Sequence, residues 1–318
     1  MQAIAAKNSI TLEHVRCCVC DTDDAAPVGL GGDYEYHTST DTFLAMQCNS
    51  CGLVYLNPRP TVADLDTIYP DSYHAFDFSE KDFGFVHKVR SRLEANRLLS
   101  WCKDLSGDAK ILDIGCGDGF HLKLLKQFGK KSWTVEGIDI SERAAAAAGR
   151  SGIKIHTGSV ENIGLPENSY DLAFMIQTIE HVEHPEKVLA GARRLLKPGG
   201  KLVIVTDNTG SPDFNFFRGG YWGGYHFPRH WNLFNKNSLR KLAVKTGYEV
   251  ADLITAVSPV NWVYSIHNTL VDAEAPRWMI SRFTLKSFLS LSAFTSLDIV
   301  LQKLGRGALL RAILKKNS

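Results

Sequence analysis

The chain has no apolar run fit to cross a bilayer. The longest stretch towards its end, Phe283 to Leu301, is interrupted by Lys286, Asp298 and several serines and threonines. At the start, MQAIAAKNSITLEHVRCC is broken by Lys7, Asn8, Glu13 and His14 and lacks the apolar core of a secretory signal. Together these point to a cytoplasmic protein with at most peripheral membrane contact. Excess charge is lacking too. With 36 Lys and Arg against 34 Asp and Glu, the net charge of +2 gives no general field for nucleic acid or anionic lipid. Neither the dinucleotide pattern G-x-G-x-x-G nor the Gly-Lys-Ser/Thr of a phosphate loop is present, so two common nucleotide readings fall away.

What is present is enough for a full core. A chain of 318 residues, 44% hydrophobic and 22% charged, fills one ordinary domain and leaves material for a small accessory one. Its seven cysteines belong to a reducing compartment, where paired thiols indicate metal more often than disulfide. Cys17-Cys18-Val19-Cys20 and Cys48-Asn49-Ser50-Cys51 supply two C-x-x-C pairs, a spacing that lets two thiolates from one turn grip a tetrahedral ion. Gly52 follows as a knuckle turn favours, and strand-like sequence lies between the pairs. The expectation is a zinc ribbon with Zn2+ on Cys17, Cys20, Cys48 and Cys51, a closed and structural site. Cys18 is a spare thiol able to replace a neighbour, and the competing reading is buried free cysteines or a redox pair.

The stretch Ile111 to Phe120, ILDIGCGDGF, organises the rest. Lys110 to Ile114 reads as a buried parallel strand, and Gly115, Gly117 and Gly119 allow a tight turn that comes close to a ligand. Apolar residues from Phe120 to Phe128 then recur at helical spacing. Asp113, placed before the first glycine, would repel a pyrophosphate but suits a cation. WTVEGIDIS gives a second strand ending in Asp139. IKIHTG, Tyr170 to Gln177, KLVIVT and EVADLITAV read as the third to sixth strands, and LLKPGG as the turn before the fifth.

This ordered series resembles the class I S-adenosylmethionine-dependent methyltransferases. The resemblance implies an α/β fold, a Rossmann-like seven-stranded sheet carrying a small N-terminal zinc-ribbon domain, with ALLRAILKK as the antiparallel seventh strand. It implies S-adenosylmethionine as methyl donor, held by Asp113, Gly115, Gly117, Gly119, Asp139, Ile140, Ser159, Val160 and Gln177. Asp139 would take the ribose hydroxyls, and Ser159-Val160 would flank the adenine; Ser159 stands where the family usually places an acid. The ribbon followed by LNPRP is similar to bacterial methyltransferases of sugar, polysaccharide or secondary-metabolite pathways. Pro228-Arg229-His230 matches a Pro-x-His that commonly sits over the active site. His230 is the first candidate for general base or acceptor orienter, followed by His226 and His181, the last in QTIEHVEHP at the fourth strand's tip. A histidine merely bonded into its loop is the competing reading for each.

The expected domains are 1–70, ribbon and Pro-rich connection; 71–107, helical linker; 108–257 with 308–318, the methyltransferase domain; and 258–307, a mainly helical insertion or cover. The linker holds a helix over Phe83 to Leu105 whose Arg90, Arg92 and Arg97 read as a solvated face. SERAAAAAGRSG reads as a helix over 141–152 capped by Ser141. The aromatic, glycine-rich stretch from Phe214 to Trp231 reads as a flexible lid. The expected activity is methylation, at oxygen or carbon, of a small-molecule acceptor such as a sugar, polysaccharide- or lipid-linked or secondary-metabolite intermediate, with no nucleic-acid partner. The alternatives are an RNA-modifying methyltransferase or a non-catalytic zinc-ribbon scaffold.

Overall fold

The computed structural model describes residues 10–70, 73, 80–142 and 152–317. Most of the alanine-rich helix expected over 141–152 lies outside the described residues. So do the side chains of residues 80–90, Phe85, Val89 and Arg90 among them.

The N-terminal part is built on short antiparallel strands. β1 (Leu12–Glu13) pairs with β5 (Arg59–Pro60), while β2 (Ala25–Gly31), β3 (Phe43–Cys48) and β4 (Val54–Leu56) form a meander. Phe43 and Ala45 are buried and Leu44 is not, the alternation expected of a sheet with one face on the core. The sheet does not end where the ribbon does. β11 (Asn232–Leu233), from far along the chain, pairs antiparallel with β4 and completes the order β11-β4-β3-β2. The ribbon and the catalytic part therefore share a sheet.

The main sheet contains β6 (Lys110–Ile114), β7 (Thr134–Asp139), β8 (Lys154–Thr157), β9 (Tyr170–Ile176), β10 (Leu196–Asp207), β12 (Tyr248–Ala256) and β13 (Leu309–Lys316), in the order β12-β13-β10-β9-β6-β7-β8. β13 runs antiparallel to both its neighbours, and the pairs from β10 to β8 are all parallel. This is the seven-stranded Rossmann-like sheet implied by the sequence. Its inner strands are apolar on both faces, with Ile111, Leu112, Leu172, Phe174, Leu202 and Ile204 fully buried, because helices cover both sides. From β6 the chain winds outward through β7 to β8, then returns to place β9 on β6's other side. In open sheets of this kind, ligands bind beyond the carboxyl ends of the strands at such a reversal, here β6 and β9.

A helix over Glu80–Trp101 buries Ala95, Leu98 and Trp101 against this sheet; it stops four residues before the expected Leu105. Between β12 and β13 the chain forms helices Val260–Asp272, Arg277–Ile280 and Phe288–Lys303. Asp298, fully buried, accepts hydrogen bonds from Ser258 N at 2.8 Å and Ala308 N at 3.1 Å, and so ties together the two ends of this excursion.

The aromatic stretch differs from expectation. Phe214, Trp222, Tyr225, Phe227 and Trp231 are buried in one cluster with Phe43, Val54 and Leu56 of the ribbon. Tyr225 stacks on Phe227 with ring centres 4.6 Å apart, and Trp222 donates to Asp213 Oδ2 at 2.7 Å. The ribbon supplies the apolar surface that this stretch lacks by itself, so these rings form an interdomain core rather than a lid.

Candidate functional site

The donor side starts at β6. Gly115 has φ +75° and a Cβ there would lie 2.4 Å from Thr178 Cγ2, so only glycine lets the turn after β6 pass beneath the turn after β9. Asp113 pairs in register with Gly137, which brings the acids ending β6 and β7 to the same rim. Asp113 is almost fully buried, its carboxyl pushed up by burial against the pull of His121, whose Nδ1 lies 3.7 Å from Oδ2. Asp139 accepts from Gly117 N at 2.8 Å and from Ser141 N at 2.9 Å; its carboxyl too is raised by burial. Two carboxylates thus stand near neighbouring strand ends, both in surroundings of low polarity.

The other expected donor contacts are placed less uniformly. Ile140, 68% exposed, stands clear beside Asp139, while Val160 is packed into the core. Ser159 donates to Glu161. Gln177, at φ +51°, closes β9 and donates from Nε2 to Asp207 Oδ2 at 3.4 Å.

Asp207 leads to the histidines. It ends β10, fully buried, accepts from Asn261 Nδ2 at 2.7 Å, and lies 3.5 Å from His230 Nδ1; burial pushes its carboxyl up to about 6. The His230 ring is 4.5 Å from that of His181 and 5.0 Å from that of His226, centre to centre. The three expected histidines therefore meet in one group. His230 is buried, with Nδ1 2.8 Å from Gly224 O, and burial holds it well below the usual imidazole range. Burial likewise depresses His181 to about 3, with His226 contributing. The His226 carboxylate contact is the tighter one: Nδ1 lies 2.6 Å from Glu35 Oε2, against 3.5 Å between His230 and Asp207. Beside the Glu35–His226 pair lies a small hollow of about 10 Å³, walled by Tyr34 and Glu35 of the ribbon, Trp222 and His226, and Tyr264 and Asn268 of the 260–272 helix.

Sequence reading missed Glu35, Asp207 and Asn261 as members of this site; Glu180 was visible only as a neighbour of His181 at the fourth strand's tip. For Asp207 a signal existed, an acid at the tip of the fifth strand in VTDN. Glu35 gave none, because its partner lies 191 positions on.

At the other end of the ribbon, the sulfurs of Cys17, Cys20, Cys48 and Cys51 lie within 4.8 Å of one another, and those of Cys17 and Cys51 are 3.6 Å apart. Zinc–sulfur bonds of about 2.3 Å demand sulfur separations near 3.8 Å, so the set fits a tetrahedral ion. Gly52, at φ +75°, donates to Cys48 O, and Leu53 N points to Cys51 Sγ at 3.4 Å, the turn that a metal knuckle needs. The Cys17 thiol is lowered to about 5, chiefly by Cys51. Cys18 does not replace a neighbour. It bonds Asn232 Oδ1 at 3.5 Å and burial raises its thiol, which removes it from the ligand set.

Residues 85–253 match a family described as a methyltransferase domain, more than half of the chain. The chain belongs to that methyltransferase family. Within it, the chain is similar to a ubiquinone biosynthesis O-methyltransferase of Pseudomonas aeruginosa, 28% identical over 59% of this chain and 84% of the relative. It is also 35% identical to an uncharacterised 37.1 kDa protein in transposon TN4556 of Streptomyces fradiae, over 33% of this chain; the match spans only 30% of that relative's length. Among solved structures, a geranyl diphosphate methyltransferase in complex with S-adenosylmethionine superposes with a TM-score of 0.50 at 15% identity, covering 73% of this chain and 87% of that one. At that identity the likeness establishes the methyltransferase fold and no more. Family and fold together support S-adenosylmethionine as the donor. No helix among the described residues is long and apolar enough to cross a membrane.

Proposed function

We propose that the chain transfers the methyl group of S-adenosylmethionine to an oxygen or an acidic carbon of a small-molecule acceptor that presents its reacting atom at the hollow beside His226. The Glu35–His226 pair carries this reading. The carboxylate fixes the imidazole through Nδ1 and leaves Nε2 to accept the acceptor's proton. His226, at the hollow's wall, is better placed for that role than buried His230, whose Nδ1 is committed to Gly224 O.

In this scheme Asp113, Gly115, Gly117, Gly119, Asp139, Ile140, Ser159, Val160 and Gln177 hold the donor. The acceptor atom attacks the methyl carbon in line with the carbon–sulfur bond. As the new bond forms, the old one breaks, its electron pair stays on sulfur to give S-adenosylhomocysteine, and the acceptor's proton passes to His226. Alignment supplies most of the rate, because the sulfonium is already a good leaving group. Cys17, Cys20, Cys48 and Cys51 hold structural zinc, which shapes the ribbon that presents Glu35. The domains fall at 1–70, 71–107, 108–257 with 308–318, and 258–307, the last supplying Tyr264 and Asn268 to the hollow. A relative named for O-methylation in ubiquinone biosynthesis supports a small-molecule acceptor.

The test is methyl-labelled S-adenosylmethionine incubated with the protein and, separately, with a small-metabolite fraction and total RNA. Label should enter the metabolite fraction and fall sharply in His226→Asn. Label in RNA alone, or transfer indifferent to His226, would sink the reading.

A further inference from the structure

Behind His226 lies a second grouping, with its own chemistry. Glu180, His181 and His230 each present one ligand atom, and the three lie within 4.8 Å of one another. Glu180 is fully buried. Its Oε2 accepts from Thr206 Oγ1 at 2.8 Å, but its Oε1 has no hydrogen-bond partner. A dry, unpartnered carboxylate oxygen is costly, and a purely structural acid at this position would leave it so.

The histidines are already oriented. His181 Nδ1 stands 3.2 Å from Arg229 O and 2.9 Å from Tyr69 Oη, and His230 Nδ1 stands 2.8 Å from Gly224 O. A carbonyl can only accept, so Gly224 O holds the His230 hydrogen on Nδ1 and leaves its lone pair on Nε2; Arg229 O favours the same tautomer for His181 when the Tyr69 hydroxyl turns to accept. A metal-binding imidazole is held in this way, its far nitrogen donating to a carbonyl. Thr206 does the same for the carboxylate.

We propose that Glu180, His181 and His230 bind one divalent first-row transition-metal ion, at a site distinct from the cysteine cluster. Two imidazoles and one carboxylate suit Mn2+, Fe2+, Co2+ or Zn2+; calcium calls for six to eight oxygens, and the four thiolates of the ribbon select a softer ion. Three protein ligands leave coordination positions open. Given the methyl-transfer reading above, on which this role rests, an acceptor oxygen would occupy one of them. The ion would make that hydroxyl more acidic, and the Glu35–His226 pair would then take its proton.

The binding claim is tested without acceptor or donor. Mn2+ is added to the full zinc-loaded chain, and the electron paramagnetic resonance signal of free Mn2+ is followed. Uptake of one ion per chain is expected, weakened about a hundredfold in Glu180→Gln while the cysteine-site zinc is retained. Should that variant fail to fold, His181→Gln carries the same readout. Free signal rising from the first addition, or uptake that survives these substitutions, overturns the site. Uptake without methyl transfer would sink the functional reading alone, and transfer without uptake would sink the metal alone.

Discussion

Arg229 and Asp33, 196 positions apart, form a bidentate ion pair with both side chains fully buried: Nη1 to Oδ1 is 3.1 Å and Nη2 to Oδ2 is 2.8 Å. Arg229 also donates to Ile68 O at 2.6 Å and lies over the Tyr36 ring at 4.4 Å. It sits between the histidines and the ribbon, so this pair fixes the distance between Glu35 and His226.

Removing one partner leaves the other charge stranded. Arg229→Ala should cost about 3–5 kcal/mol in urea unfolding, because Asp33, held well below the usual carboxylate range by Arg229 against its burial, would lose that support. The double variant with Asp33→Ala should cost less than the sum of the singles. Additive losses would mean that the two do not act together.

Cys48→Ser should reduce bound zinc from one per chain to near none, read by mass spectrometry of the metal. Cys18→Ser should leave it unchanged, since Cys18 faces Asn232 and not the cluster.

Asp139→Asn should weaken S-adenosylmethionine binding about tenfold or more in titration calorimetry, the loss expected of a charge-assisted hydrogen bond in a buried setting. An unchanged affinity would remove Asp139 from the donor site.

Acidity should act on stability through His121. Burial lowers its basicity, but Asp113 and Glu94 together raise it to about 9 from 6.5. The folded state binds this proton more tightly than the unfolded chain. Its contribution is therefore complete below about pH 6.5 and is lost as pH rises through 9. The melting temperature should fall across that window, and His121→Gln should flatten the fall.

If His226 is the base proposed above, Glu35→Gln should lower kcat while leaving the donor's affinity intact, because the Glu35 carboxylate holds the His226 ring through Nδ1. A drop of about a hundredfold is the scale of a disabled general base.

Much of the donor side was legible one segment at a time. The strand, glycine turn and helix around Gly115, the acid Asp139 and the two C-x-x-C pairs are local patterns, since each needs only neighbours a few residues away. The packing of the stretch from Phe214 to Trp231 was not legible for the converse reason. Their packing partners, Phe43, Val54 and Leu56, lie more than 150 positions earlier, and glycine spacing carries no information about them.

The sequence by itself therefore determined the fold, the strand–glycine turn–helix unit at Gly115 and the cysteine cluster, because strand periodicity, glycine turns and ligand spacing act over short range. Only the tertiary structure decided which histidine has a carboxylate beside it, that Asp207 and Glu180 belong to the same group, and that the ribbon forms one wall of the hollow. Those relations arise where β11 joins β4 and Arg229 meets Asp33, contacts between distant segments that exist only once the chain has closed on itself.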